Sequence, residues 1–179
     1  VGSAFNRIDT NHDLILVGSS EYNLISANES DKMISEHRPD AIIHLAAKVG
    51  GVKGNSDYIA DFFHDNIMIN SNVLNSSVKY NIHKVVSLLS TCVYPNSVKY
   101  PLTEDQIHNG EPHYSNFGYA YAKRMLDVHS RSIRNQFGYN YVTAVPNNLY
   151  GENDNYDLKN GHVVAAVIRK IYEAKINNE

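Results

Sequence analysis

Cysteine is nearly absent: the 179 residues contain one, Cys92. An internal disulfide is therefore excluded, as is a zinc site built on four cysteines. This usage predicts a reducing compartment, the cytosol. Long apolar runs are also missing, and none approaches the ~18 residues of a membrane span. There is no signal-peptide pattern. The nine histidines form no pair with metal-ligand spacing, so no metal is expected. Charge of either sign is not in excess. A formal net charge of −3 leaves no electrostatic footprint for nucleic acid or an anionic membrane. Internal repeats, low-complexity tracts and linkers are absent as well. The length suits one domain, and 42% hydrophobic with 20% charged residues suffices for an ordinary core.

Hydrophobic patterning gives the order of elements. Short continuous apolar runs at Asp13–Gly18, Asp40–Ala47, Lys84–Leu89 and Tyr141–Val145 predict four buried strands. Between them lie helical spacings over Ser30–His37, about Asp57–Tyr80 and Tyr119–Phe137, the last closed by Gly138. A further helix opens at His162, after a polar, Asn-rich loop from Asn147 to Gly161. Continuous strands alternating with helices predict an α/β fold, a Rossmann-like doubly wound parallel sheet covered on both faces. Ligands bind beyond the carboxyl ends of such strands, and Ala46, Ser90 and Pro146 sit there.

Tyr119 and Lys123 are four residues apart, which places them on one helix face, about 5–6 Å apart at Cβ. An ammonium at that distance is expected to favour the tyrosinate and lower the tyrosine from its usual value of about 10. A tyrosine tuned in this way exchanges a proton with a carbonyl or alcohol oxygen. The spacing alone says little, because roughly 0.7 such pairs are expected by chance in a chain with this many tyrosines and lysines. Tyr80 and Lys84 match it too, across a helix end and a strand start. Ser90 adds the missing specificity. It ends a strand about thirty residues before Tyr119, where a hydroxyl can hold a substrate carbonyl beside the tyrosine.

Five segments carry a wider likeness: AAKVGG (46–51), STCVYP (90–95), SNFGYAYAKRMLD (115–127), PNNLYG (146–151) and NGHV (160–163). Together they resemble the GDP-L-fucose synthase family of extended short-chain dehydrogenase/reductases, its eukaryotic branch most closely, across nearly the whole chain. The resemblance implies NADPH-dependent 3,5-epimerisation and 4-reduction of a GDP-linked 4-keto sugar. It implies Cys92 and His162 as the acid–base pair at C3 and C5, with Tyr119 as final proton donor beside Ser90 and Lys123. It also implies cofactor contacts from Gly2, Ser19, Ala46, Ala47, Lys48, Leu89, Ser90, Lys123, Pro146, Asn147, Asn148 and Leu149. Asn148, His162 and Lys170 are implied to meet the substrate, Lys170 at the GDP diphosphate. A homodimer through the two long helices is expected on the same basis.

Two departures from the family pattern matter. Bacterial members carry arginines after the Leu14–Val17 run, where this chain has Gly18-Ser19-Ser20. Serine bonds a 2′-phosphate more weakly than arginine, yet NADP(H) remains the expected cofactor. Val1-Gly2-Ser3-Ala4 matches only the tail of a phosphate-binding glycine turn. The expectation is thus a fragment lacking the first, central strand and the C-terminal substrate region. In it, residues 1–161 form a partial NADP-binding domain and 162–179 begin the substrate region, with little activity alone. Other sugar-nucleotide 4-epimerases or 4,6-dehydratases remain open as alternatives, as does a non-catalytic cofactor sensor.

Overall fold

In the computed structural model, residues 1–50, 56–158 and 161–177 are described. Gly51 of the first resemblance segment and Asn160 of the last lie outside them. The elements run α1 (Gly2–Phe5), α2 (Ala27–His37), β1 (Ile42–His44), α3 (Ile59–Lys79), β2 (Lys84–Leu88), α4 (Phe117–Phe137), β3 (Asn140–Ala144) and α5 (Val163–Asn177). The three strands are parallel in the order β1-β2-β3. Ile42 pairs with Val85, and Val85 with Tyr141.

Two helix termini have a clear local cause. Ser26 caps α2 by accepting from the Glu29 N–H at 3.4 Å. Gly138 closes α4 with φ 73°, a left-handed conformation that glycine adopts without strain. The two long helices lie side by side because Gly118 has no side chain. A Cβ there would stand 2.4 Å from the Ile59 carbonyl oxygen. This contact sets the start of α4, and with it Tyr119.

The core gathers Val73 and Leu74 of α3, Val85 of β2, Leu126 of α4 and Tyr141 of β3, all 0–1% exposed. Each such side chain contributes about 1.5–3 kcal/mol by leaving water. The Tyr141 hydroxyl stays satisfied by donating to the Ile82 carbonyl at 2.9 Å. No helix among the described residues is long and apolar enough to cross a membrane.

Two expectations change. The run Asp13–Gly18 forms no strand, and Leu14, Ile15, Leu16 and Val17 are 39–52% exposed. A strand exists by pairing, and among the described residues β1 pairs only with β2. The sheet is also well covered on only one face. Val85, Ser87 and Tyr141 are buried against helices, whereas Ile43 (48%) and Val142 (36%) on the other face remain open. Helix α5, apolar as its sequence is, buries only Ala165.

Candidate active site

The carboxyl ends of the three strands open into one cleft of about 710 Å³. Leu45 and Ala47 enter it after β1, Leu88, Leu89 and Ser90 at the end of β2, and Pro146, Asn147, Asn148 and Leu149 after β3. Tyr119 and Lys123 reach it from α4, and His162 from the start of α5. Residues separated by more than a hundred positions are thus brought to one edge, as a parallel sheet requires.

The β2 end is rigidly made. The Leu89 N–H donates to the Ala144 carbonyl at 2.9 Å, extending the ladder one residue past the strand. Ser90 then caps a short 3-10 turn, Thr91–Val93, its hydroxyl accepting from the Cys92 N–H at 3.5 Å. The Lys123 ammonium donates to the Leu88 carbonyl at 2.7 Å and lies 5.8 Å from the Tyr119 ring centre. Lys123 is only 3% exposed. Burial pushes it down to about 8, with Cys92 pulling the other way.

Tyr119 corrects the sequence reading. Burial raises its hydroxyl well above the ordinary tyrosine range, and Cys92 adds to the rise. Desolvation of the partly buried phenol is the main cause, and the neighbouring ammonium, itself weakened by burial, does not offset it. Tyr119 is therefore held as a protonated phenol, ready to donate.

His162 is built differently. Its ring is largely exposed, and its carbonyl accepts the first α5 bond, from the Ala166 N–H at 2.9 Å. Nδ1 lies 2.9 Å from Asp154 Oδ1. That carboxylate is itself fixed by the Asn155 N–H at 2.8 Å, and the Asp154 N–H donates to the Gly151 carbonyl. A hydrogen bond from Nδ1 leaves Nε2 as the free atom. The Asn155 N–H bond is the main reason that the Asp154 carboxyl sits below its usual range. Asp154 was not legible in the sequence, being one polar residue among many in an Asn-rich loop.

Several predicted residues stand outside the cleft lining. Cys92 does not line it, and burial pushes its thiol upward. Gly2 does not line it either, although its neighbours Val1, Ser3 and Ala4 do. Ser19 and Ala46 are not on the lining, and Lys170 is exposed on α5. The Lys48 side chain turns onto α3, its ammonium 2.6 Å from Asp65. Its backbone is clamped by Asn66, which accepts from the Lys48 N–H and donates to the Lys48 carbonyl, both at 3.0 Å. Asn66 is a polar residue within the α3 helix, 0% exposed. Its buried amide fixes the exit from β1.

The cleft suits a dinucleotide in its donor set. Apolar walls from Leu45, Val49 and Leu89 can take a flat ring, and the Lys123 ammonium and Ser90 hydroxyl can bond ribose or amide oxygens. Against known proteins, the profile of the NAD dependent epimerase/dehydratase family matches residues 3–179. The chain belongs to that family. It is 44% identical over 172 residues to the GDP-L-fucose synthase of Dictyostelium discoideum, covering 96% of this chain and 54% of that one. The fold superimposes on the GDP-L-fucose synthetase of Naegleria fowleri bound to NADP with a TM-score of 0.82. There the identity is 37%, covering 92% of this chain and 54% of that one. A GDP-mannoheptose C4 reductase from Campylobacter jejuni, with NADP bound, gives 0.85 at 32% identity, covering 92% and 49%. The Rossmann-like α/β fold follows. The chain spans about half the length of the curated relatives it matches.

Proposed function

We propose that this chain carries the cofactor side and the acid–base groups of an NADPH-dependent enzyme. That enzyme epimerises GDP-4-keto-6-deoxy-D-mannose at C3 and C5 and reduces it at C4, giving GDP-L-fucose. The observation that carries this reading is the convergence of Ser90, Tyr119, Lys123 and His162 on one cleft at the strand ends. Residues 1–161 supply the cofactor side, and residues 162–179 begin the substrate side.

The bound nicotinamide supplies a hydride. Ala47, Leu89 and the Pro146–Leu149 loop would flank it, and Lys123 would bond its ribose. Gly2, Ser19, Ala46 and Lys48 are assigned to the rest of the dinucleotide, toward its phosphates and adenosine. Ser90 donates to the C4 carbonyl oxygen and fixes it near the phenol. Tyr119, held protonated by burial, delivers its proton to that oxygen as the carbon is reduced. Lys123 stabilises the phenolate left behind, being close to the ring and readily charged near neutral pH.

The hydrogens on C3 and C5 are α to the ketone, so their removal gives an enolate. His162 acts through Nε2 on one face of the enolate, with Asp154 holding the ring and stabilising its charged form, so that at each centre the proton leaves to one of His162 and Cys92 and is supplied by the other. Cys92 serves the opposite face. Asn148 orients the sugar, and Lys170 meets the GDP diphosphate. Pairing of two copies through α3 and α4 would cover Phe63 and Val128, which are 42% and 40% exposed.

A second reading is reduction at C4 without epimerisation. Cys92 standing behind the cleft lining favours it. One experiment separates the two. The enzyme is incubated in D2O with GDP-4-keto-6-deoxy-D-mannose and NADPH. NADPH loss with deuterium at C3 and C5 supports the first reading. NADPH loss without deuterium supports the second, and no NADPH loss overturns both.

A further inference from the structure

Arg124 follows Lys123 on α4, yet it takes no part in the cleft lining. It is 3% exposed. Its Nε donates to the Val93 carbonyl and its Nη1 to the Gly110 carbonyl, each at 2.7 Å. Its Nη2 is buried with no hydrogen-bond partner. No carboxylate pairs with it among the described residues; its ring neighbour is Tyr121, 5.3 Å away. Burying a guanidinium against carbonyl dipoles alone is costly, and a fold that only needed a loop clamp could use a neutral donor.

The two carbonyls it grips belong to the segment that carries Cys92. Val93 is the next residue in the same 3-10 turn. Gly110 lies on the far arm of the loop, which closes through the Pro95–Pro112 bridge and the Asn96 N–H to Glu111 carbonyl bond. Two cationic side chains of α4 act on Cys92, namely Lys123 and Arg124, and from the end of β2 comes the Ser90 hydroxyl; Tyr119, on the same helix, feels Cys92 in turn. Burial disfavours the thiolate, while Ser90, Lys123 and Arg124 favour it.

We propose that Arg124 is a positioning residue for Cys92: it fixes the turn that carries the thiol and supplies the buried counter-charge for its thiolate. This rests on the reading of Cys92 as an acid–base group. A thiol that must carry charge in a dry environment needs a fixed cation, and one tied to the same turn moves with it. The guanidinium is held on the carbonyl of Val93, the residue after Cys92, and its charge is balanced by no carboxylate among the described residues.

The test needs no substrate. Cys92 alkylation by iodoacetamide is followed against pH, with the modified peptide quantified by mass spectrometry, in the wild type and in Arg124→Gln and Arg124→Lys. Gln keeps a donor for the carbonyls and loses the charge; Lys keeps the charge. The expected result is a midpoint raised by about one pH unit in Arg124→Gln and restored toward wild type in Arg124→Lys. An unchanged midpoint in folded Arg124→Gln overturns the proposal. Equal shifts in both variants also overturn it, because a simple clamp would respond to lost geometry and not to lost charge. If Arg124→Gln does not fold, Arg124→Met supplies the neutral variant, a raised midpoint supporting the proposal and an unchanged one overturning it. Failure of the underlying reading looks different: Cys92→Ser would then leave deuterium exchange at C3 and C5 intact, whatever the alkylation profile shows.

Discussion

The two halves of the cleft are made of different material. Ser90, Tyr119 and Lys123 stand where a sheet edge meets a helix, with Lys123 buried and bonded to the Leu88 carbonyl. His162 stands at an exposed helix start, held by one carboxylate from a polar loop. The first half is part of the core; its geometry is set by packing that the fold needs anyway. The second is a surface constellation in which the ring of His162 is oriented by its hydrogen bond to Asp154. In the proposed reaction the fixed proton donor comes from the first, and the His162 side of the proton exchange comes from the second, where an open ring can be reached by water.

Breaking the core half should have the largest effect. Lys123→Met removes the ammonium beside Tyr119 while filling the same space. Steady-state NADPH oxidation should fall by about 10²–10⁴-fold. Thermal unfolding should show no loss of stability, since an apolar chain replaces a buried charge. A large drop in melting temperature would instead make Lys123 a structural anchor.

The core half also carries an acid-sensitive support. His44 is 4% exposed, bonds Asn70 at 3.0 Å, and is pushed down to about 4, first by burial and then by Lys123. The folded state thus binds fewer protons than the unfolded one between about 6.5 and about 4. Its stabilising contribution is complete above about 6.5 and is lost as pH falls through about 4. The whole swing amounts to about 3 kcal/mol. His44→Gln should flatten the dependence of urea unfolding over that window, and an equally steep dependence would assign it to other groups.

The surface half yields two smaller effects. His162→Gln should slow deuterium incorporation at C3 and C5 by about 100-fold or more. It should leave reduction of an already epimerised 4-keto sugar within a few-fold of wild type. Asp154→Asn should cost about 10-fold in exchange, in kcat more than KM, because an amide can still contact the ring but cannot stabilise its charge. Equal losses in Asp154→Asn and His162→Gln would show that Asp154 does more than hold the ring.

The legibility of the sequence follows the same division. Apolar spacing located α3 and α4 to within two residues, and Gly138 marked the α4 end, because these signals are local. The Tyr80–Lys84 decoy was also excluded locally: Tyr80 ends α3 and bonds Asp31, while Lys84 starts β2. The Asp13–Gly18 run misled because its apolar content is real, while its pairing depends on a partner that no local pattern reveals. Arg124 and Asp154 were invisible for a related reason. Their roles come from contacts across a fold, to Val93, Gly110 and His162, and their types carry no mark of burial. The direction at Tyr119 was misjudged because spacing reports a neighbour's charge and says nothing of desolvation.

The division itself is tested most directly by one variant in one tube. Tyr119→Phe is mixed with GDP-4-keto-6-deoxy-D-mannose and NADPH in D2O. NADPH oxidation is followed by absorbance, and deuterium at C3 and C5 by mass spectrometry. The core half should fail alone, with oxidation lost at least about 100-fold and exchange continuing near the wild-type rate. Oxidation at the wild-type rate would contradict the assignment of Tyr119, and loss of exchange together with oxidation in a folded, NADPH-binding protein would contradict the separation of the two halves.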